Sequence, residues 1–320
     1  MTIVSILIPA HRTEFVREAI ASALAQTFEE IEILVGDNTP DGALEAIVGE
    51  FDSPKLKYFH HGFDNGGQNA TALWQKASGR YVKWLFYDDV LTPRSVEVLL
   101  NALRMHPNAL MAFHERVMID ANGAIVHAPA RLLDEDQVGL VDRDFIVRNM
   151  VAHMNNFIGE PSFVMLDKSR IDIAELGIYK GHVPDFLGDV CAYLALAAKG
   201  PIVAVGGYFG GFRRHAAQES AAGGPIFSLG VIEWEVFLRG EVADGNLSVK
   251  DTLAAKQRLE QFYANFVARI PELQRFIDGL SELTDALPGG LFESQKFRAN
   301  LAHARELVKA RVAEQRLIAA

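Results

Sequence analysis

YVKWLFYDDVLTP, Tyr81–Pro93, runs from an apolar stretch straight into two adjacent acids. The first six residues, Tyr81–Phe86, read as a short strand buried on both faces. Asp88 and Asp89 follow at its end, and two like charges side by side cost energy unless something compensates them. Two solutions are open. One is a solvated turn in which Asp88 or Asp89 caps the helix that Pro93 opens. The other is a divalent metal held at the end of the strand.

The sequence on the N-terminal side of this stretch sets the fold class. Ile3–Ile8 is a nearly continuous apolar run and predicts the first strand, after which Thr13 is placed to cap a helix carrying Val16, Ala19, Ile20, Ala23 and Leu24. Ile31–Gly36 predicts a second strand, Ala43–Phe51 a second helix and Leu56–His60 a third strand. A glycine-bearing loop, FDNGGQN, then leads into a helix ending at KASG. Strands alternating with short helices predict a parallel, doubly wound α/β sheet.

On the C-terminal side the pattern changes. Ala109–Pro129 reads as two strands joined by a hairpin turn at Asn122-Gly123. EPSFVML and GPIVAVGGYFGGF predict further strands, so the sheet is expected to become mixed in its second half. From about Gly230 the pattern is helical, with breaks at ARIPEL and LPGGLF. No repeat of 20–50 residues and no low-complexity tract interrupts it.

Composition narrows the function classes. The 320 residues are 49% hydrophobic and 22% charged, ordinary values for a globular protein. A net charge of -10 argues against nucleic acid as the main partner. The single cysteine, Cys191, excludes an internal disulfide, fits a reducing compartment and reads as packed in an apolar helix. The N-terminal apolar run is short and ends at Pro9, so it predicts a first strand and not a signal peptide, and no run is long enough to span a bilayer. Glycine spacing in GGYFGG does not match a dinucleotide fingerprint, and His60-His61 lacks a third ligand at metal-binding spacing.

In an open α/β sheet ligands bind beyond the carboxyl ends of the strands. Pro9, Ala10, His11 and Arg12 follow the first strand, Asp37 the second, HHGFDNGG the third, and Asp88 and Asp89 the fourth. Singly, Asp37 reads as a turn former and Asn65-Gly66-Gly67 as a plain loop. Together they collect polar groups on one rim.

VSILIPAHR, AIASALAQTFEEIEILVGDNTPDG and NGGQNATALWQKASGRYVKWLFYDDVLTP, in that order, resemble the family-two inverting glycosyltransferases, which have the nucleotide-sugar-binding GT-A fold. Looser matches continue through GEPSFVML, GDVCAYLALAAKG and FRRHAAQESA, so the resemblance covers roughly residues 3–220. It implies a nucleotide-sugar-binding and catalytic domain over 1–225, followed by a C-terminal helical extension over 226–320. IPAHR matches the segment at the nucleotide pocket, with His11 and Arg12 replacing the common Tyr and Asn. Asp37 matches the acid that typically contacts the base, while Gly36 replaces a first acid. Asp88 matches the last acid of the Asp-x-Asp motif, which typically ligates the metal, and Phe86 stands where that motif's first acid usually sits. Asp89 is a further acid that often follows.

The resemblance also implies Asp189 as the catalytic base, with Gly188 replacing a common Glu and Asp185 as a nearby competitor. Read as residues alone, Asp189 is equally placed to cap the apolar helix that follows. FRRHAAQES resembles a segment that closes over the pyrophosphate, which makes His215 a second metal ligand and Arg213 or Arg214 a phosphate partner. The bland reading of His215 is a surface-loop histidine, and the two readings stay open.

The expected activity is metal-dependent, inverting transfer of a sugar from a nucleoside diphosphate donor, UDP-linked, with Mn2+ or Mg2+ as cofactor. The acceptor is a glycan, a lipid-linked sugar or a protein hydroxyl. A non-catalytic nucleotide-sugar-binding protein is the rival, fed by the losses at Gly36, Phe86 and Gly188. A nucleotidyltransferase would want glycine and lysine in its first loop, which IPAHRTEF lacks. The expected location is cytoplasmic, with contact to the inner face of the membrane as a further option.

The tail supplies the remaining expectation. From Glu293 to Ala320 the charge is +3 in an acidic chain, and Phe297, Leu301, Ala304, Val308 and Val312 recur on one helical face. Three placements are open for that face: packing on its own domain, pairing with a second subunit, or lying on an anionic membrane surface.

Overall fold

The computed structural model describes residues 2–63, 65–216, 218, 224–285 and 292–319. The chain forms two compact units: Met1–Val141 with Ile158–Glu175 and Leu196–His215, and Asp142–Phe157 with Leu176–Ala195 and Ala216–Ala320.

The first unit contains the sheet. Strands β1 (Val4–Ala10), β2 (Ile31–Asp37), β3 (Leu56–His60) and β4 (Tyr81–Trp84) are parallel and lie in the order β3-β2-β1-β4. Helices α1 (Val16–Leu24), α2 (Leu44–Val48) and α3 (Gly66–Lys76) connect them. The mixed half contains β5 (Val90–Leu91), β6 (Met111–Ile119), β7 (Ile125–His127), β8 (Val138–Val141), β9 (Val164–Asp167) and β10 (Ile202–Arg213), with α4 (Ser95–Met105) between β5 and β6. β9 runs antiparallel to both β4 and β6, whereas β6 and β10 are parallel. The predicted doubly wound, mixed sheet is therefore present, parallel in its first half.

The apolar runs account for this arrangement. Val4, Ile6, Ile8, Ile33 and Val35 join Ala19, Ile20 and Ala23 of α1 in one core. Both faces of β1 and β2 are covered, which is why their sequences do not alternate. The hairpin at Asn122-Gly123 forms, with Gly123 at φ 83°, a left-handed conformation that glycine takes without a Cβ penalty.

Two local expectations are corrected. Thr13 does not cap α1: Phe15 immediately precedes the helix and no side chain caps it. The Phe15 ring instead lies 4.5 Å beneath the Arg213 guanidinium, so tertiary packing sets where the helix begins. Pro93 likewise does not open α4, which starts at Ser95 after the short strand β5, with Arg94 before it and no side-chain cap. Neither Asp88 nor Asp89 is therefore a helix cap.

The second unit is helical: α5 (Arg143–Asn149), α6 (Gly188–Ala197), α7 (Phe227–Ala243), α8 (Val249–Ala264), α9 (Leu273–Ile277), α10 (Glu282–Asp285) and α11 (Gln295–Ala319). The break expected at ARIPEL separates α8 from α9, and most of LPGGLF lies outside the described residues. α7 is buried along most of its length, with Trp234, Phe237 and Leu238 inside. The face expected on α11 packs within this unit: Phe297, Ala304 and Val308 are buried, and Arg311 pairs with Glu272 at 2.7 Å. No helix among the described residues is long and apolar enough to cross a membrane.

Candidate active site

The strand order reverses between β1 and β4, and in open α/β sheets ligands bind beyond the carboxyl ends of the strands at such a point. Asp88 sits in the turn just past β4, where the Asp89 N–H donates 3.1 Å to the Phe86 carbonyl. Arg213, at the end of β10, holds this turn from below. Its Nε donates 2.8 Å to the Asp88 carbonyl, its Nη1 donates to the carbonyls of both Asp120 and Ala121, and its Nη2 pairs with Glu18 at 2.5 Å. With its side chain fully buried and these donors engaged, Arg213 braces the turn. Arg214, exposed beside it, is the arginine left facing outward.

The carboxylate of Asp88 has a different partner. His215 Nε2 lies 3.1 Å from Asp88 Oδ2, and the Phe15 ring lies 5.0 Å from the imidazole. His215 is therefore not a loose surface-loop residue. Asp88 and His215 offer one oxygen and one nitrogen donor, while no group of three or more His, Cys, Asp or Glu that could hold a metal occurs among the described residues. The Asp88 carboxylate, with His215 beside it, could hold a divalent ion that completes its shell with phosphate oxygens and water.

Asp89 resolves the problem of adjacent charges. It is 1% exposed, its Oδ2 accepts 2.5 Å from Ser162 Oγ, and its Oδ1 accepts 3.1 Å from the Arg213 N–H. Burial, reinforced by Asp88, pushes its carboxyl well above the usual range, while the two donors it accepts from compensate it. Below it, fully buried Lys83 donates 2.7 Å to the Ser162 carbonyl. Burial lowers that amine to about 7 against the opposing pull of Asp89. Phe86, at the position of the motif's lost acid, donates its N–H 3.0 Å to Ser162 Oγ.

The other strand ends are arranged differently. Pro9 pairs in register with Gly36. His11 is exposed and edge-on to the Tyr87 ring at 5.1 Å, with Arg12 Nε donating 3.3 Å to His11 Nε2. Asp37 is fully buried: Oδ1 accepts from the Thr39 N–H and hydroxyl, both at 2.7 Å, and Oδ2 accepts from the Leu44 N–H at 3.1 Å and Tyr58 at 2.8 Å. These bonds make it a brace for the turn and the start of α2. Asn65 caps α3, accepting from the Gly67 and Gln68 N–H groups at 2.7 and 3.3 Å.

Asn69 was not anticipated. Its Nδ2 donates 2.8 Å to the Gly36 carbonyl and 3.4 Å to that of Ala10, while Oδ1 lies 2.8 Å from His61 Nδ1. It ties the ends of β1 and β2 together. A Cβ at residue 36 would lie 2.2 Å from Asn69 Oδ1, so any side chain there would displace this amide. The legible signal was a polar residue one helical turn before Leu73, on the stripe that α3 buries.

In the helical unit, Asp189 lies in the first turn of α6. Oδ1 accepts 2.7 Å from the Val190 N–H, and Oδ2 accepts 2.7 Å from Asn156 Nδ2. Asn156, also unanticipated, fixes the orientation of the carboxylate. Asp185 is engaged otherwise, with Arg305 Nε donating to it at 2.7 Å. Cys191 is buried, and burial, with Glu233 and Asp189 nearby, pushes its thiol up to about 12.

Residues 5–144 match the family described as "Glycosyl transferase family 2". An uncharacterised glycosyltransferase of Rickettsia bellii is 33% identical over 146 residues, 43% of this chain and 21% of that protein. The chain thus spans about a fifth of that relative's length. WfgD of Escherichia coli, a UDP-Glc:alpha-D-GlcNAc-diphosphoundecaprenol beta-1,3-glucosyltransferase, is 30% identical over 104 residues, 32% of this chain and 41% of that protein. The structure of S. aureus TarS 1-349 in complex with UDP-GlcNAc superimposes with a TM-score of 0.64 at 14% identity, covering 98% of this chain and 92% of that one.

Proposed function

We propose, from the match of residues 5–144 to glycosyl transferase family 2, that the chain transfers a sugar from a UDP-linked donor to an acceptor hydroxyl with inversion. The observation that carries the proposal is Asp88 at the switch point of the sheet with His215 3.1 Å from its carboxylate. Asp88 and His215 would hold Mn2+ or Mg2+, which when bound neutralises charge on the departing diphosphate. Arg214 adds positive charge on the same strand end for the phosphates. His11, Arg12 and the loop at Asn65 border the nucleotide.

Asp189 serves as the general base, taking the proton of the acceptor hydroxyl as it attacks. Asn156 directs one carboxylate oxygen and leaves the acid poised in a single orientation. The acceptor is a glycan, a lipid-linked sugar or a protein hydroxyl. WfgD, whose name specifies a diphosphoundecaprenol-linked acceptor, favours the lipid-linked class. A cytoplasmic site of action beside the inner membrane face belongs to the same proposal.

A panel of nucleotide sugars, assayed for nucleotide release with and without Mn2+, tests this reading. Turnover of a UDP-sugar that depends on the ion is expected. No release and no binding across the panel would favour the non-catalytic nucleotide-sugar-binding reading, which the substitutions at Gly36, Phe86 and Gly188 keep alive.

A further inference from the structure

We propose that Glu233, on α7, is a positioning residue for Asp189, which makes α7 part of the catalytic apparatus. This rests on the assignment of Asp189 as the base.

Glu233 is fully buried, and its carboxylate accepts three consecutive backbone N–H groups: Asp185 at 2.5 Å, Phe186 at 3.1 Å and Leu187 at 2.6 Å. These amides immediately precede α6, whose second residue is Asp189. Amides entering a helix have no partner within it, and a carboxylate satisfies them more strongly than a neutral acceptor. His182 Nε2 lies 3.7 Å from Glu233 Oε1, on the same carboxylate.

The side chains of this segment rest on the same helix. Gly230, one turn before Glu233, has no Cβ because one would lie 2.3 Å from the Phe186 ring. Further along, Tyr179 packs edge-on to Phe237 at 5.0 Å, donates to Glu241 at 2.8 Å and occupies the space over Gly240. Gly230, Glu233, Phe237 and Gly240 recur at three- and four-residue spacing, so one face of α7 is a bed for the segment that ends at Asp189. Burying a carboxylate is costly unless it is fully hydrogen-bonded. An apolar residue here would leave three amides orphaned and the entry to α6 unfixed.

The test compares Glu233→Gln with the unaltered chain in acceptor-dependent transfer, UDP binding and a double-mutant cycle with Asp189→Asn. Misplacing the base should lower kcat by up to about 100-fold while UDP binding is retained. In the Asp189→Asn background the same change should cost nothing further, because the group it positions is already disabled. A purely structural role would instead subtract its effect in full from both backgrounds. Gly230→Ala, which displaces Phe186 without touching the carboxylate, should repeat the kcat-selective loss and serves if Glu233→Gln does not fold. Normal transfer in these variants, or a loss that persists undiminished in the Asp189→Asn background, overturns the proposal. An unaltered chain that transfers no sugar from any donor fails the functional reading itself and this proposal with it, a result distinguishable from failure of Glu233 alone.

Discussion

β2 and β4 flank β1 on either side, and each delivers an aspartate to the same rim, yet the two acids are used in opposite ways. Asp37 is fully buried and accepts four hydrogen bonds from Thr39, Leu44 and Tyr58. Asp88 is only partly buried, its backbone carbonyl rather than its carboxylate receives Arg213, and its carboxylate faces a histidine. Position at a strand end therefore does not decide how far the fold itself engages an acid. The local supply of donors does: β2 runs into a turn rich in N–H and hydroxyl groups, whereas the turn after β4 is braced through backbone and through Asp89. Charge that the fold has already satisfied has little left to offer a cation.

The comparison breaks most visibly at Asp88. Asp88→Asn should cost on the order of 100- to 1000-fold in transfer, with an unchanged thermal midpoint. Near-normal turnover would remove Asp88 from the site and leave the two strand ends equivalent. Asp37→Asn should act on stability, by about 2–3 kcal/mol in denaturant unfolding, because an amide NH2 would oppose the Leu44 N–H and the Tyr58 hydroxyl. Unchanged stability with weakened UDP binding would instead make Asp37 a ligand contact.

Gly36→Asp, which restores the acid that the family usually carries, should destabilise by roughly 1–3 kcal/mol through collision with Asn69. Asn69→Ala in the same chain should relieve part of that cost, and a double-mutant cycle in urea reads the coupling. Additive losses would show that Asn69 is not what excludes the acid.

The smallest effect is at the other end of β2. Burial opposes ionisation of Glu32, but hydrogen bonds from Lys57, Ser5 and Ser78 outweigh it and lower the carboxyl from 4.5 to about 2. A folded value below the unfolded one stabilises the protein at higher pH and is lost as pH falls through the window from 4.5 to about 2. Glu32→Gln should flatten that part of an acid-unfolding curve. An unchanged acid limb would show that Glu32 is not its source.

The sheet was legible because its strands are long apolar runs with turn residues between them, and because burial on both faces leaves little freedom of interpretation. The hairpin at Asn122-Gly123 was legible for a local reason, the need for a left-handed residue. Helix starts were less so: Thr13 and Pro93 both carried sound local signals, and the packing of Phe15 under Arg213 and the intervening strand β5 overrode them. Among the candidate residues, Arg213 and Arg214 are adjacent and chemically identical, and only their placement, the last residue of β10 and the one after it, separates the buried brace from the exposed charge.

Sequence by itself determined the strand–helix order, the family resemblance and the set of acids at strand ends, since these depend on residues near one another in the chain. Tertiary structure decided what each acid does. Asp89 is buried against Ser162 and the Arg213 N–H, and Asp37 is engaged by its own turn. Asn69 explains Gly36 across 33 residues, and Glu233 reaches 46 residues back to Leu187. Burial, hydrogen-bond supply and pKa belong to the surroundings of a side chain, and those surroundings are assembled from segments that sequence spacing does not connect.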